Sequence, residues 1–565
     1  MKGEQKTCQN CKTSFTIDPE DFEFYKKITV PPPTFCWKCR FQRRCAFRNE
    51  RHLYRGKSAL SGKDLLTIYP PDSNVTIYEE KEWWGDGWDA MDYGRDYDVS
   101  RNFFEQFMEL VRQVPRDARN VVHDINSEYS GNAGRCKNCY LIFNANDDED
   151  CAYGNGVDMS KDCYDNSHII KCERCYNSLW LERCYQTHFS VQCTDCTNVW
   201  FSKNCRGSTN CFGCVNLRNK SYCIWNVQYT KEEYEEKLAE MKLYSWKEFS
   251  KIGTQAAQFW KKFPTKYLEG TKNVNVSGQY IHNSKNIKQG YIVVEGEHLA
   301  YCQYIQFLPS TKDCYDLTVW GESNALSYEN MECGQGTFNV HFCLGCYMEV
   351  KNLEYCQYCH SSSDLFGCVG VRKKQYCIFN KQYSKEDYES LRAKIIKHMH
   401  DMPYTDARGR VYRYGEFFPI ELSTVHYNRT LAIEHFPITK EEATRNNYRW
   451  YDPPPPEYAP SIQAHELSDS IREVKDPILK EIISCEKCGR GYRIIPSELV
   501  FLRKEEIPLP RMCVNCRHET RIAKRQKAFT YHRNCAKCGK TIETSYSPDS
   551  PEIVYCDGCF NAEVA

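Results

Sequence analysis

Evenly spaced cysteines constrain the fold of this chain more than any other feature. Between Cys163 and Cys223 they recur at 163, 184 and 205, at 172, 193 and 214, and at 175 and 196, so three series share one spacing of 21. A fixed period near 20 without an apolar helical pattern predicts a parallel solenoid, in which each coil buries its inward residues by stacking on its neighbours. We therefore predict a mainly β fold with Cys-rich parallel β-solenoid (β-helix) segments.

The solenoid is predicted to be duplicated. The stretch CFGCVNLRNKSYCIWNVQYTKEEYEEKL is matched by LFGCVGVRKKQYCIFNKQYSKEDYESL at a constant offset of 154. A capping box at Thr230 and Glu233 predicts a helix that begins at Lys231 and closes the first stack, with an equivalent helix at Lys385. We expect two solenoids, over 136–230 and 273–384, with less regular coils in the second.

Several coil cysteines form Cys-x-x-Cys pairs, at 172 and 175, 193 and 196, and 211 and 214. Residues three apart on one strand face opposite sides, so both thiols point inward only where a corner intervenes. Cysteine is also a small, readily buried hydrophobe. Because the repeat accounts for every such position, we favour core ladders over zinc knuckles. Tyr164, Tyr176 and Tyr185 are then expected outside the coil as an aromatic stripe.

Both ends of the chain carry cysteine quartets with zinc-ribbon spacing. Two cysteines in one tight turn can aim both sulfurs at one metal, and a second pair completes a closed tetrahedral site. Twenty-four positions separate the two pairs of the first and second quartets, and seventeen separate those of the third. We predict three structural Zn ions held by ribbon 1 (Cys8, Cys11, Cys36, Cys39), ribbon 2 (Cys485, Cys488, Cys513, Cys516) and ribbon 3 (Cys535, Cys538, Cys556, Cys559).

Ribbons 1 and 2 align without a gap at an offset of 477, and each is followed by a basic segment. Basic residues interleaved with aromatic ones suit phosphates and bases. The candidate nucleic-acid contacts are Arg40, Arg44, Arg48, Arg517, Arg521 and Arg525. The alternatives are that the arginines pack on their own ribbon, that the first basic segment is a solvated tail, or that this segment pairs with the acidic stretch 79–98.

The C-terminal residues NCAKCGK through EIVYCDGCF resemble an uncharacterised bacterial zinc-ribbon family known by its CxxC-x17-CxxC element. The preceding CGRGYRIIPSELVFLRKEEIPLPRMCVNCR, its N-terminal copy and WGDGWDAMDYGRDYD extend the resemblance over much of the chain. The resemblance implies zinc binding, and it implies no particular activity.

Composition narrows the classes of function. The 565 residues carry a formal net charge of +0, so there is no global basic field for wrapping nucleic acid. The polar start MKGEQKTCQNCK lacks the apolar region of a signal peptide, and no stretch has transmembrane length. With 35 cysteines, we expect a cytoplasmic protein with reduced thiols and no membrane partner.

The predicted order of domains follows from these motifs. It runs from ribbon 1 with its basic tail (1–57), through an acidic and aromatic segment (58–135) whose helix at 100–114 caps the first solenoid, to the first solenoid itself. A helical connector (231–272), the second solenoid, a helix with strap and linker (385–480), ribbon 2 (481–530) and ribbon 3 (531–565) complete the chain.

Three hypotheses of function remain. The favoured one is a zinc-binding scaffold that binds a protein or nucleoprotein partner, with RNA contacted through the basic segments. The second is a β-helix enzyme acting on a glycan or phosphoester through Asp147, Asp148, Asp150, Asp158 and Asp162, although aspartates that form turns explain this cluster better. The third is thiol redox or metal storage, against which periodic coil cysteines are expected to be buried and inert.

Overall fold

The computed structural model describes residues 3–306, 308–455 and 458–564. Its α-helices are α1 (Pro19–Lys27), α2 (Trp37–Cys45), α3 (Glu80–Trp84), α4 (Phe103–Gln113), α5 (Lys231–Glu240), α6 (Trp246–Trp260), α7 (Lys385–Asp401), α8 (Ala432–His435), α9 (Lys440–Arg445), α10 (Pro496–Lys504), α11 (Val514–Ile522) and α12 (Asp557–Val564).

The strands of the N-terminal half are β1 (Glu4–Thr7), β2 (Ser14–Ile17), β3 (Tyr54–Lys57), β4 (Asp64–Thr67), β5 (Ile77–Tyr78), β6 (Arg116–Asp117), β7 (Val121–Val122), β8 (Ser130–Gly134), β9 (Ile142–Asn146), β10 (Asn155–Asp158), β11 (Ser167–Ile170), β12 (Leu179–Glu182), β13 (Tyr185–His188), β14 (Val191–Thr194), β15 (Thr197–Trp200), β16 (Thr209–Phe212), β17 (Ser221–Ile224) and β18 (Val227–Gln228). Strands β7 to β18 form the first solenoid.

The remaining strands are β19 (Thr265–Lys266), β20 (Gly270–Thr271), β21 (Val274–His282), β22 (Lys285–Val294), β23 (Glu297–Ala300), β24 (Gln303–Ile305), β25 (Lys312–Trp320), β26 (Tyr328–Cys333), β27 (Phe338–His341), β28 (Lys351–Glu354), β29 (Ser363–Phe366), β30 (Gln375–Ile378), β31 (Lys381–Gln382), β32 (Tyr404–Thr405), β33 (Val411–Tyr412), β34 (Ile462–Gln463), β35 (Ile483–Ser484), β36 (Gly491–Tyr492), β37 (Tyr531–Asn534), β38 (Thr541–Thr544) and β39 (Val554–Tyr555). Strands β20 to β31 form the second solenoid.

The predicted mainly β fold with two parallel solenoids is confirmed, but the coil is shorter than the cysteine spacing suggested. Asn155 pairs in parallel with Ser167, Ser167 with Leu179, and Leu179 with Val191. Each coil of the first solenoid therefore contains twelve residues. The second solenoid is less regular, as expected, because its coils advance by eleven positions from Val274 to Lys285 and by twelve from there to Glu297, and other steps are longer.

A backbone corner at every third residue explains both the coil length and the misleading spacing. Arg174, Asn177 and Trp180, for example, have φ of 53°, 48° and 59°. A corner every three residues gives a twelve-residue coil four sides, with one inward side chain on each. A position separated from an inward residue by a multiple of three therefore faces inward as well, so a spacing of 21 joins inward positions without being the length of a coil.

The corners also settle how a Cys-x-x-Cys pair can face inward. Arg174 lies in the left-handed region between Cys172 and Cys175, and these two cysteines are 2% and 0% exposed. Inward thiols of successive coils, such as those of Cys151 and Cys163, belong to one buried cluster along the axis of the first solenoid. The predicted core ladders are therefore present.

The helices predicted to close the solenoids begin at the expected residues. Helix α5 begins at Lys231 after the capping box of Thr230 and Glu233, and α7 begins at Lys385 after Ser384. In each solenoid the last parallel strand is first covered by a short antiparallel strand, β18 or β31. Because these turns end the parallel pairing, they leave no open parallel edge at that end of either stack.

Helix α4 does not cap the first solenoid, and that expectation is wrong. The Phe103 ring packs edge-on against Phe366 and Phe379 of the second solenoid, with ring centroids 5.5 Å apart in both pairs. The first solenoid is contacted instead by α6, whose Phe249 ring lies 4.7 Å from that of the corner residue Phe189. None of the described helices is both long and apolar enough to cross a membrane.

Candidate metal centres and the cleft between the solenoids

Each cysteine quartet is assembled from a hairpin and a helix. In ribbon 1, Cys8 and Cys11 lie in the turn between β1 and β2, whereas Cys36 is the N-cap of α2 and Cys39 lies in its first turn. Ribbon 2 repeats this arrangement with α11, and the bounds of its two helices match those of ribbon 1 at the offset found in the sequence. In all three quartets, the four Sγ atoms lie within 4.8 Å of one another.

The spacing of the sulfurs fits a tetrahedral metal ion. Two thiolates each about 2.3 Å from a tetrahedral zinc ion are about 3.8 Å apart. The Sγ atoms of Cys11 and Cys36 are 3.7 Å apart, and the corresponding pairs in ribbons 2 and 3 are separated by 3.8 and 3.7 Å. The three groups of four cysteines could therefore each hold one metal ion.

Backbone groups prepare the first ligand of each quartet to bind as a thiolate. The amide of Cys36 donates to the Sγ of Cys8 over 3.3 Å, and ribbons 2 and 3 contain the same bond, at 3.2 and 3.3 Å. Burial raises the pKa of Cys485, but amides including that of Cys513 outweigh it and lower the pKa to about 7. The partial positive charge of a helix N-terminus favours thiolates in the same direction.

The coil cysteines do not form comparable groups. Among the residues that the structure describes, the three quartets are the clusters of at least three mutually close Cys, His or acidic side chains. Burial raises the pKa of Cys151 and of Cys163 well above the ordinary thiol value. These two thiols are therefore protonated. All the coil cysteines are at most 3% exposed, and this burial suits core packing rather than redox exchange.

The two arginines retained after ribbon 2 hold the ribbon against the first solenoid. Arg517 Nη1 lies 2.6 Å from Asp165 Oδ2. Arg521 Nε donates to Ser167 Oγ over 3.0 Å, and its Nη1 lies 3.5 Å from Asp165 Oδ1. Asp165 has no exposed surface, so this ion pair forms inside the molecule.

Ribbon 1 repeats the arrangement on the second solenoid. Arg40 Nη2 lies 2.8 Å from Asp316 Oδ2, and Arg44 Nε donates to Thr318 Oγ1 over 3.0 Å while its Nη1 lies 3.0 Å from Asp316 Oδ1. The acceptors belong to DCYDNS (162–167) and DCYDLT (313–318), which are related by an offset of 151. This repeated hexapeptide is the sequence signal that marks the docking sites, and the cysteine analysis did not single it out.

The six arginines expected to contact nucleic acid are buried, and the structure contradicts that expectation. The guanidinium groups of Arg48 and Arg525 pair internally with Glu332 and Glu434. Their side chains, like those of the four docking arginines, are at most 6% exposed, so phosphates cannot reach them. The residues concerned are Arg40, Arg44, Arg48, Arg517, Arg521 and Arg525.

The ribbons are docked crosswise, with the N-terminal ribbon on the second solenoid and the C-terminal ribbon on the first. The Phe24 ring stacks on Tyr315 with centroids 3.9 Å apart, and the equivalent Phe501 ring lies 4.9 Å from Tyr164. Tyr164 and Tyr176 do lie outside the coil, but ribbon 2 covers them and they are at most 5% exposed. Tyr185, the third member of the expected stripe, is half-buried and accepts from Arg174 Nη1 over 3.0 Å. Two of the three tyrosines therefore form a docking surface within the chain.

A large cleft lies between the two solenoids. It has a volume of about 1950 Å³ and is lined by residues of both coil stacks. Five of the exposed large apolar side chains line it, and each is 38–58% exposed. They are Val122, Ile125, Met159 and Ile170 from the first solenoid and its approach, and Leu308 from the second.

The remaining lining of the cleft mixes apolar and polar side chains, and acidic side chains outnumber lysines and arginines. Burial raises the pKa of Glu80 to about 7 and that of Asp158 to about 6. The indole of Trp180 is stacked between His168 and Tyr280, with centroids 4.2 and 4.5 Å away. Both of its faces are therefore already covered.

The five aspartates considered for catalysis do not come together in one catalytic site. Asp147, Asp150 and Asp162 occupy corners with φ between 52° and 58°, a conformation that Asp and Asn tolerate better than most residues. Asp148 points into the coil, where its Oδ1 accepts from the amide of Ser160 over 2.8 Å. Asp158 accepts from the Asn146 side chain over 3.0 Å. These contacts support the interpretation as turn-forming residues.

Comparisons with known proteins add little to this description. No family model and no curated protein match the chain, so the resemblance to the zinc-ribbon family has no support beyond the cysteine motifs. A crystal structure described as a "putative acetyltransferase" from Desulfovibrio desulfuricans is matched over 48% of this chain and 69% of its own. Its identity to this chain is 10% and the TM-score is 0.11, a likeness that carries no argument about function.

Proposed function

We propose that this protein is a zinc-bound scaffold that binds an extended segment of a partner protein in the cleft between its solenoids. The observation that carries the proposal is the large cleft itself, with five exposed apolar side chains in its lining. Exposed apolar patches in a soluble protein are characteristic of interaction sites. The solenoids on either side, being stacked and closed, provide a rigid frame for such a site.

Zinc is the metal that the donor sets favour. Four thiolates in a closed tetrahedral group are typical of structural zinc sites, and they leave no position free for a substrate. We expect three zinc ions per chain by elemental analysis. Six or more tightly bound ions would mean that coil cysteines are ligands as well, and the core-ladder interpretation would then fail.

The chemistry of the cleft favours a polypeptide over other ligands. Lysines and arginines are outnumbered by acidic side chains in its lining, so it offers the phosphates of a nucleic acid no excess of positive charge. The six arginines proposed for RNA contact are buried. Trp180 offers no free face on which a sugar ring or a base could stack. Apolar side chains together with carboxylates suit a segment that carries apolar and basic residues.

Site-specific cross-linking tests the proposal. A photo-cross-linking residue at Met159, in the cleft, is expected to capture one protein in the source cells, with and without nuclease treatment. Val500 is 64% exposed and lies away from the cleft, so the same residue there serves as the matched control and should not capture that protein.

The captured segment then provides a direct binding measurement. As a synthetic peptide it should bind the purified protein, and Met159→Arg or Val122→Arg should weaken binding about tenfold or more, that is by about 1.4 kcal/mol or more. Val500→Arg should leave binding unchanged. Capture that requires RNA, equal capture at Val500, or a peptide indifferent to the cleft substitutions would contradict the proposal.

A further inference from the structure

Residues 54–84 repeat ribbon 3 without its cysteines. They align with residues 531–561 at the same offset of 477 that relates ribbon 1 to ribbon 2, and no gap is needed. Strands β3, β4 and β5 have the same bounds as β37, β38 and β39 at this offset, and α3 and α12 begin at equivalent residues. The identical pairs are Tyr54 and Tyr531, Ala59 and Ala536, Gly62 and Gly539, Lys63 and Lys540, Thr67 and Thr544, Tyr69 and Tyr546, Pro71 and Pro548, Asp72 and Asp549, Ser73 and Ser550, and Tyr78 and Tyr555.

The backbone of the hairpin turn is the same in both segments. The amide of Ser58 donates to the carbonyl of Lys63 over 2.9 Å, and the amide of Cys535 donates to that of Lys540 over 2.8 Å. Gly62 has φ of 75° and its counterpart Gly539 has 74°. The turn that holds two metal ligands in ribbon 3 is therefore present in residues 54–84.

The two segments also dock in the same way on the solenoids. Strand β5 pairs in parallel with β6, before the first solenoid, and β39 pairs in parallel with β19, before the second. Thr67 Oγ1 donates to the carbonyl of Ala118 over 2.9 Å, and Thr544 Oγ1 donates to that of Tyr267 over 2.7 Å. The resemblance thus extends from the fold of the segment to its place in the molecule.

Oxygen-bearing side chains occupy all four ligand positions. Ser58, Ser61, Glu79 and Glu82 stand where ribbon 3 has Cys535, Cys538, Cys556 and Cys559, and the gap between the two pairs is equally long in both segments. The Ser58 hydroxyl donates to Glu82 Oε2, and the Glu79 amide donates to the same oxygen over 3.2 Å. In the three cysteine ribbons the equivalent amide donates to the sulfur of the first ligand.

We propose that residues 54–84 form a fourth ribbon in which hydrogen bonds to the Glu82 carboxylate replace the metal ion. The carboxylate links the hairpin to the first turn of the helix, which is the connection that the ion makes in ribbon 3. The N-terminal pair of ribbons then holds one metal ion and the C-terminal pair holds two. This inference rests on metal binding by the cysteine quartets, and the metal content of the unmodified protein tests that part separately.

Restoring the cysteines tests whether the metal geometry has been kept. The variant S58C/S61C/E79C/E82C is expected to bind four zinc ions by native mass spectrometry where the unmodified protein binds three. With cobalt, its thiolate charge-transfer absorbance should rise by about one third, as expected for four tetrathiolate sites instead of three. The three-cysteine variant S58C/S61C/E79C is the matched control, and a chelator should strip any additional ion from it. A folded four-cysteine variant that still binds three ions would overturn the proposal.

The reciprocal exchange tests the hydrogen-bonded substitute and does not depend on the folding of the first variant. C535S/C538S/C556E/C559E is expected to bind two ions and to keep the amide-exchange protection of β37 to β39. C535A/C538A/C556A/C559A is expected to bind two ions and to lose that protection. Equal loss of protection in both variants would show that the serine and glutamate set cannot replace the metal, and the proposal would fail.

Discussion

Asp165 and Asp316 occupy equivalent corners of the two solenoids, and each forms ion pairs with two arginines of a docked ribbon. Both carboxylates are fully buried. Burying a charged group is costly unless the group is paired. Removal of one partner leaves the other charges buried without compensation. These two residues therefore determine whether each ribbon stays on its solenoid.

We expect Asp165→Asn to lower the free energy of unfolding by about 3–5 kcal/mol, because Arg517 and Arg521 lose their shared carboxylate. Limited proteolysis should then cut within ribbon 2 first, whereas Asp316→Asn should expose ribbon 1. Asp147→Asn is the matched control, since Asp147 makes a half-exposed pair with Arg135 and its loss should cost less than about 1 kcal/mol. Equal effects of Asp165→Asn and Asp147→Asn would contradict this assignment.

Glu80 gives the stability of the protein a pH dependence. Burial raises its pKa from an ordinary value of 4.5 to about 7, so between these values the folded protein retains a proton that the unfolded chain has lost. Stability falls with rising pH wherever the folded state binds more protons. We therefore expect the unfolding free energy of the unmodified protein, relative to Glu80→Gln, to fall as pH rises from 4.5 to about 7. Parallel profiles for the two proteins in denaturant titrations would refute this.

At the scale of the element, the three-residue repeat of the four-sided coil determines which side chains form its core. One residue in three faces inward and one in three adopts the left-handed corner conformation, which costs most residues about 1–2 kcal/mol. Asn and Asp tolerate it best, so their frequency in the coils has a backbone cause. Small inward side chains such as Cys and Ser share this interior with aliphatic ones such as Ile169 and Leu181.

The burial of the coil cysteines predicts that the 35 thiols become reactive in three steps: in the native protein, after chelation and after unfolding. In the metal-loaded protein, the coil thiols should not react with an aromatic disulfide reagent, because they are buried and the reagent cannot reach them. A chelator should release the twelve ribbon thiols, and full unfolding should release the rest. A control incubation without chelator gives the number of thiols that react in the native protein. Rapid reaction of additional thiols in the native protein would favour the redox hypothesis instead.

At the scale of the whole molecule, each terminal pair of ribbons spans both solenoids. Ribbon 1 lies on the second solenoid while residues 54–84 pair with β6 beside the first. Ribbon 2 lies on the first solenoid while ribbon 3 pairs with β19 beside the second. The two pairs therefore join the solenoids crosswise, so we expect metal binding at the ends to stabilise contacts in the middle of the chain.

Metal removal from ribbon 3 should consequently be detected far away in sequence. Because structural zinc contributes its binding energy to folding, Cys535→Ala with Cys538→Ala should abolish the amide-exchange protection of β19, which pairs with β39. Protection of β15 and β16, within the first solenoid, serves as the internal reference and should not change. If β19 stays as protected as in the unmodified protein, ribbon 3 does not stabilise the start of the second solenoid.

Local spacing in the sequence was sufficient for much of the architecture. Two cysteines three residues apart define one half of a metal site, a Thr-x-x-Glu box defines the start of a helix, and an ungapped offset defines a duplication. For that reason the three quartets, the starts of α5 and α7 and the existence of two solenoids were predicted. These features depend on neighbours along the chain, and their physical causes act over a few residues.

Tertiary structure alone decided the coil length, which ribbon docks on which solenoid, and the burial of the six arginines. Inward positions recur every three residues, so a spacing of 21 and one of 12 satisfy the same rule, and only the strand register separates them. Arg40 meets Asp316 at a sequence separation of 276, and Arg521 meets Ser167 at one of 354. Burial and pairing at such separations depend on how whole elements pack, and a basic segment that is buried has the same sequence pattern as one that faces solvent.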